Sequence, residues 1–178
     1  MILTRIGYFG DFIVYPALVA LLAAAGIGFG AGGAGWWLSV FLASVALWTL
    51  LEYLLHRFAF HHMPYLRPMH ELHHASEHEL IGTPTWMSVC AHAALVFAPL
   101  MLLAGLPVAT AVSAGLMVGY LWYVAVHHAV HHWHPGHSTY LYRLKRRHAL
   151  HHHHDQERNF GVTTGLWDRL FGTDDGMA

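Results

Sequence analysis

Histidine is the side chain that could do chemistry in this sequence, and its spacing says which chemistry. Of 19 histidines, 18 fall in two segments, Glu52–Glu79 and His127–His154. "EYLLHRFAFHH" places His56 and His61 five apart, and "MHELHHASEH" places His70, His73 and His74 at i, i+3, i+4, on one helix face. "VHHAVHH" offers His127 with His131, or His128 with His132, and spacing alone does not choose between them. "RRHALHHHH" repeats the trio with His148, His151 and His152. The sum is ten candidate ligands, enough for two metal ions at about five nitrogens each. Neutral imidazole suits iron, zinc, copper or nickel, whereas magnesium and calcium want oxygen. Without a Cys-x-x-Cys, a thiolate zinc finger or iron–sulfur site is excluded.

Taken singly, a histidine pair near a helix end is surface decoration, and four consecutive histidines are a low-complexity tract. Four groups at helix spacing argue for one specific dinuclear site. Two rivals use the same residues. "HELHH" from His70 satisfies the HExxH pattern of a zinc hydrolase, with Glu71 as its base. A divalent-metal transporter would instead need ionisable residues near the bilayer midplane, where this sequence offers only His92. We expect His92 to make a helix–helix hydrogen bond and not to bind metal.

The elements that must position these histidines are legible from composition. The chain has 178 residues, 56% hydrophobic and 11% charged, against about a quarter charged in soluble domains. No charged residue lies between Asp11 and Glu52, nor between Glu79 and Arg143. Those blocks hold four apolar runs, roughly Phe12 to Gly30, Trp36 to Leu55, Trp86 to Ala104 and Pro107 to Val126. Each is near the ~20 residues that span a hydrocarbon core of about 30 Å. The first pair is separated by "GIGFGAGGAG", read as an outer loop or as small-residue helix packing. The second pair is separated only by "GLP", which demands a tight antiparallel hairpin.

All nine Lys and Arg lie before the first run, between the second and third, or after the fourth. The positive-inside rule therefore puts both termini and both histidine segments in the cytoplasm. A cleaved signal peptide is the competing reading of the first run; Asp11 and the length of the run argue against it. The expected fold is an all-α integral membrane protein: four transmembrane helices and a cytoplasmic helical cap holding the metal site, in one domain over 1–178. Net charge −1 implies no nucleic acid partner, and the single Cys90 is uninformative about redox compartment.

In this order, HxxxxH, HxxHH, HxxxH and HxxHH over four spans closely resemble the membrane-bound fatty acid hydroxylase / sterol desaturase superfamily, from about Leu51 to Thr173. "EYLLHRFAFH" and "YLYRLKRRHALHHHHDQERNFGVTTGLWDRLFGT" are most similar to the fatty acid 2-hydroxylase branch. The resemblance implies two irons, though zinc could occupy the site on isolation, and dioxygen with two electrons to hydroxylate a lipid C–H bond. It implies the ligands His56, His61, His70, His73, His74, His127, His131, His148, His151 and His152, and the family register selects His127 and His131. His153 and His154 then extend the helix into solvent.

A sterol, hopanoid or carotenoid desaturase or hydroxylase would share the scaffold. Two departures stand out: Val124 follows Tyr123 where the branch commonly has an acid, and the sequence is too short for the haem domain many relatives carry. Electrons are therefore expected from a separate donor protein. "HPGH" at His134 to His137 is read as a turn. Acids behind the ligands should orient the imidazoles, with Glu52 first, then Asp155 and Asp168. Tyr120, Trp122 and Tyr123 are expected to anchor their helix at the membrane interface or to line an acyl tunnel.

Overall fold

The computed structural model describes residues 1–29, 33–137 and 139–175. Its regular elements are helices: α1 Arg5–Phe9, α2 Asp11–Phe29, α3 Gly33–Leu54, α4 Arg67–Ala75, α5 Thr85–His92, α6 Ala98–His132, α7 Tyr140–His153 and α8 Leu166–Leu170. Two π-helical turns follow α3 and α5, at Leu55–Phe60 and Ala93–Phe97. Three stretches, Arg5–Phe29, Gly33–Phe60 and Thr85–His132, are long and apolar enough to cross a membrane. This is a membrane protein.

The third and fourth apolar runs are helical on either side of a sharp break, with no loop of several residues between them. They lie in one 48-residue helical run. Its break is a single residue, Gly105, at φ 80° and ψ 177°. Only glycine reaches that conformation cheaply, and Pro107 beyond it lacks the N–H that would continue the hydrogen-bond ladder.

The fold divides into two compact units, 1–48 with 82–121 and 49–81 with 122–178. The first unit reverses the pattern of a water-soluble domain. Its fully buried positions are small, including Ala109, Thr110, Ala111, Ser113 and Ala114, while Leu102 and Leu103 are each 86% exposed. Leucine turned outward and small residues turned inward is how helices pack in lipid, where close backbone approach replaces the hydrophobic drive. Gly119 packs flat on Trp48, Gly115 on the Phe41 backbone, and the Trp37 indole donates to Thr110 Oγ1 at 3.1 Å. A Cβ at Gly28, Gly33 or Gly35 would meet nothing, so these glycines pack against no neighbouring helix, and the described part of "GFGAGGAG" is the end of α2 and the start of α3; Gly30, Ala31 and Gly32 lie outside the described residues. Asp11 is 4% exposed and accepts from Tyr120 Oη at 2.6 Å.

The second unit holds every histidine group. Helix α7 starts at Thr139, whose hydroxyl caps Tyr142 N, and it buries Leu144, Arg147, His148, His151 and His152. That is the i, i+3, i+4, i+7, i+8 stripe of an amphipathic helix, with imidazoles where a soluble helix would carry leucines. Lys145 Nζ donates to Val130 O and Trp133 O, at 2.8 and 3.0 Å, and so caps the end of α6. Helix α4 begins on Leu66, with Pro68 in its first turn.

Candidate metal centre

The π-helical turn Leu55–Phe60 explains the five-residue spacing of the first pair. In an α-helix, residues i and i+5 diverge by more than a third of a turn. The wider π-turn bonds i to i+5, so it brings His56 and His61 to one side with ring centroids 5.2 Å apart. Helix α4 then contributes His70, His73 and His74, the end of α6 contributes His131, and α7 contributes His148, His151 and His152.

These side chains form two groups, each with its donor atoms within 4.8 Å of one another. Group A is His56, His61, His70, His74 and His151; group B is His73, His131, His148 and His152. Both α4 and α7 supply both groups, so the groups adjoin: the His74 and His152 rings stack at 4.1 Å. Nine of the ten expected residues are thus gathered. His127 lies outside both groups, yet its ring sits 4.6 Å from that of His73 and 5.0 Å from that of His148, and Tyr123 stacks on it. His128 and His132 stack on each other instead.

Whether this arrangement suits a metal can be judged from its protons. His56 Nδ1–H donates to Phe160 O at 2.6 Å and His151 Nδ1–H donates to Arg158 O at 2.7 Å. A carbonyl only accepts, so each of these rings carries its proton on Nδ1 and presents a bare Nε2 lone pair. His70 Nε2 lies 3.0 Å from the Nε2 atoms of His56, His61 and His74. One hydrogen cannot serve three such contacts, whereas a cation among them would satisfy every lone pair. In group B, His131 Nε2 and His148 Nε2 approach to 2.9 Å. Both ring nitrogens of His73 are buried with no hydrogen-bond partner among the described residues. Such orphans are costly in a buried site unless something absent from the protein itself pairs with them. An imidazole-only donor set of this kind fits iron and zinc.

Burial also keeps the imidazoles neutral. It holds His73 and His74 down to about 4 and His151 to about 3, below the ordinary imidazole value near 6.5. Burial, then neighbouring imidazoles, pushes His70, His148 and His152 down as well. At neutral pH protons do not compete with a metal for these lone pairs.

The surrounding contacts differ from the sequence expectation. Glu52 does not orient His56: one ring nitrogen of His56 faces Phe160 O and the other His70. Glu52 Oε1 instead accepts from Thr163 N and Thr163 Oγ1 at 2.8 and 2.7 Å, so it braces the tail. Asp168 is fully buried and accepts from Phe160 N, Gly161 N, Thr173 Oγ1 and Arg147 Nη2. It acts on His56 through the Phe160 carbonyl. Asp155 accepts from Glu157 N and pairs with Arg158 at 3.3 Å, in the turn that presents the Arg158 carbonyl to His151. Backbone carbonyls do for group A what acids were expected to do, and carbonyls carry no residue-type signal.

The acid nearest the imidazoles is Glu77, which sequence reasoning passed over. Its Oε2 lies 3.4 Å from His152 Nδ1 and 3.6 Å from His131 Nδ1. Its position directly after the HxxHH trio was the available signal. His153 projects outward, as expected of the solvated end of the run. His92 Nε2 finds no hydrogen-bond partner among the described residues.

Comparison with known proteins gives the family of this chain. The sequence profile of the family described as fatty acid hydroxylase matches residues 41–173. The chain belongs to that family. It is 35% identical over 148 residues to the fatty acid 2-hydroxylase of Rattus norvegicus, covering 76% of this chain and 39% of the rat protein. It is 35% identical over 143 residues to the dihydroceramide fatty acyl 2-hydroxylase FAH2 of Arabidopsis thaliana, covering 72% and 57%. The chain therefore spans less than two thirds of the length of either relative. Among solved structures, full-length scs7p, of which only the hydroxylase domain is visible, is similar with a TM-score of 0.81 and 25% identity. That similarity covers 94% of this chain and 66% of scs7p.

Proposed function

We propose that this protein is an oxygen-dependent lipid hydroxylase that oxidises a C–H bond of an acyl tail, with a fatty acid or fatty-acyl lipid as substrate. The observation that carries the reading is the convergence of nine imidazoles into two adjoining groups. Its ligand set is His56, His61, His70, His74 and His151 for one metal, and His73, His131, His148 and His152, with His127 beside them, for the other. Two irons held there would supply the activation of dioxygen, one oxygen atom entering the C–H bond and the other leaving as water with two electrons from a separate donor protein and two protons. The protein's own part is to hold ten neutral imidazoles in place, to keep His56 and His151 in the Nδ1–H form through Phe160 and Arg158, and to exclude water from the buried site.

The proposal reads 1–178 as one hydroxylase-like membrane domain with four passes and a cytoplasmic helical cap that holds the metal site. The run Thr85–His132 would extend about 72 Å as an unbroken helix, more than twice the hydrocarbon thickness. The break at Gly105 divides it into two stretches of membrane length. With every basic residue in the same set of loops, both termini and the metal site face the cytoplasm.

Glu71 argues against the zinc hydrolase. It is exposed and paired with Arg67 at 2.7 Å, turned to solvent where a general base would have to face the metal. The deciding experiment is lipid profiling of expressing cells under ¹⁸O₂, with metal analysis of the purified protein. We expect one labelled hydroxyl at a defined acyl carbon and two metals per protein molecule. A new double bond without label would transfer the reading to desaturation, and one metal with peptide hydrolysis would sink both.

A further inference from the structure

The two histidine groups differ in what holds their outer nitrogens. In group A, Nδ1 of His56 and of His151 meets a neutral backbone carbonyl. In group B, Nδ1 of His131 and of His152 lies 3.6 and 3.4 Å from a carboxylate, Glu77. Glu77 is placed by the sharp end of α4: Ser76 N–H turns back to His73 O and Leu72 O, and Glu79 N closes a turn onto Ser76 O. One acid from the α4 end thus faces one imidazole of α6 and one of α7. Its side chain is 26% exposed, at the rim of a cavity lined by His78, Val130, His131, Lys145, His148, Ala149 and His153. Lys145 Nζ donates to Val130 O and Trp133 O and makes no ion pair with Glu77 among the described residues, although its charge is felt at His131. The exposed His78 and His153 lie 3.7 and 3.4 Å from the carboxylate on its outer side.

We propose that Glu77 is a positioning residue specific to group B, which makes the two metal positions unequal. A metal on Nε2 drains charge from the ring and leaves Nδ1–H partly positive. A carboxylate facing that hydrogen stabilises the loaded form, and it also fixes the tautomer that leaves Nε2 bare. At 3.4 to 3.6 Å the contacts are ion-pair distances and longer than hydrogen bonds, so the carboxylate acts here through its charge. Because it faces two of the four group B imidazoles, its effect falls on both at once, while no group A imidazole meets an acid in this way among the described residues. Group B is therefore the tighter position, and the one whose affinity depends on a side chain.

The inference rests on the two-metal reading above, and the test separates the two. Full-length wild type, Glu77→Gln, Glu77→Asp and Glu71→Gln, all stripped of metal in detergent, are titrated with Co²⁺ against a competing chelator. The visible spectrum reports each binding step. Wild type should bind two cobalt ions in two resolved steps. Glu77→Gln should weaken the tighter step about 10- to 100-fold and leave the weaker one in place. Glu77→Asp should recover most of that loss, and Glu71→Gln, removing an exposed acid whose charge reaches only His61 of group A, should leave the tighter step as in wild type. Two steps unchanged in Glu77→Gln, or both weakened equally, overturn the role of Glu77. A wild type that never takes up a second cobalt overturns the two-metal reading itself.

Discussion

Asp168 shows how much a single tail residue can carry. Its carboxylate gathers two backbone N–H groups, the Thr173 hydroxyl and the Arg147 guanidinium, in a place with no access to water. Arg147, itself buried, also pairs with Asp174. Removing the acid leaves two buried amides unpaired and Arg147 with Asp174 alone, and breaking a buried ion pair costs about 3–5 kcal/mol. Asp168→Ala should lower the thermal midpoint in detergent by several degrees and release metal, because Phe160 O would no longer be held against His56. If the variant melts like wild type and keeps two metals, the tail does not orient the site. Gly161 belongs to the same device: a Cβ there would overlap the Thr164 carbonyl and crowd Asp168. "NFGVTTGLWDRLFGT" is thus a stretch of backbone shaped to present a carbonyl, and its side chains are the means.

At the scale of elements, the π-turn at Leu55–Phe60 and the Gly105 break do the least regular and most consequential work. The π-turn converts a spacing unsuited to an α-helix into a shared face. The break turns one long apolar run into two passes in the proposed topology, and that topology has a direct test. In a Cys90→Ser background, Met63→Cys should react with a membrane-impermeant maleimide only from the cytoplasmic side. Gly35→Cys should react only from the opposite side; both positions are exposed. Labelling of both from the same face would refute the orientation.

At the scale of the whole molecule, a neutral imidazole cluster makes stability depend on pH with a definite sign. Unfolded histidines take up protons near pH 6.5, whereas His73 and His74 in the fold do so only near 4 and His151 near 3. Above 6.5 neither state holds the proton and stability is full. As pH falls from about 6.5 towards 4, the unfolded state binds protons that the folded state refuses, so stability is lost. The thermal midpoint of the metal-free protein should therefore fall between pH 7.5 and 4.5. A flat profile over that interval would contradict the buried, uncharged state of these rings.

The sequence by itself determined the family, the helical membrane character and ten candidate side chains, nine of which the fold gathers, because imidazole spacing and charge-free runs are local properties of the polypeptide. It pointed to His127 and His131 only through family register, and the fold turned His131 into group B while His127 came to rest beside it. What only the tertiary structure decided was how the nine divide into five and four, and what holds their outer nitrogens. His73 and His74 are neighbours in sequence yet belong to different groups, since successive residues on a helix point about 100° apart. The carbonyl partners of His56 and His151 lie 104 and 7 residues away along the sequence, and every residue has a carbonyl. Only the folded path of the backbone says which of them arrives.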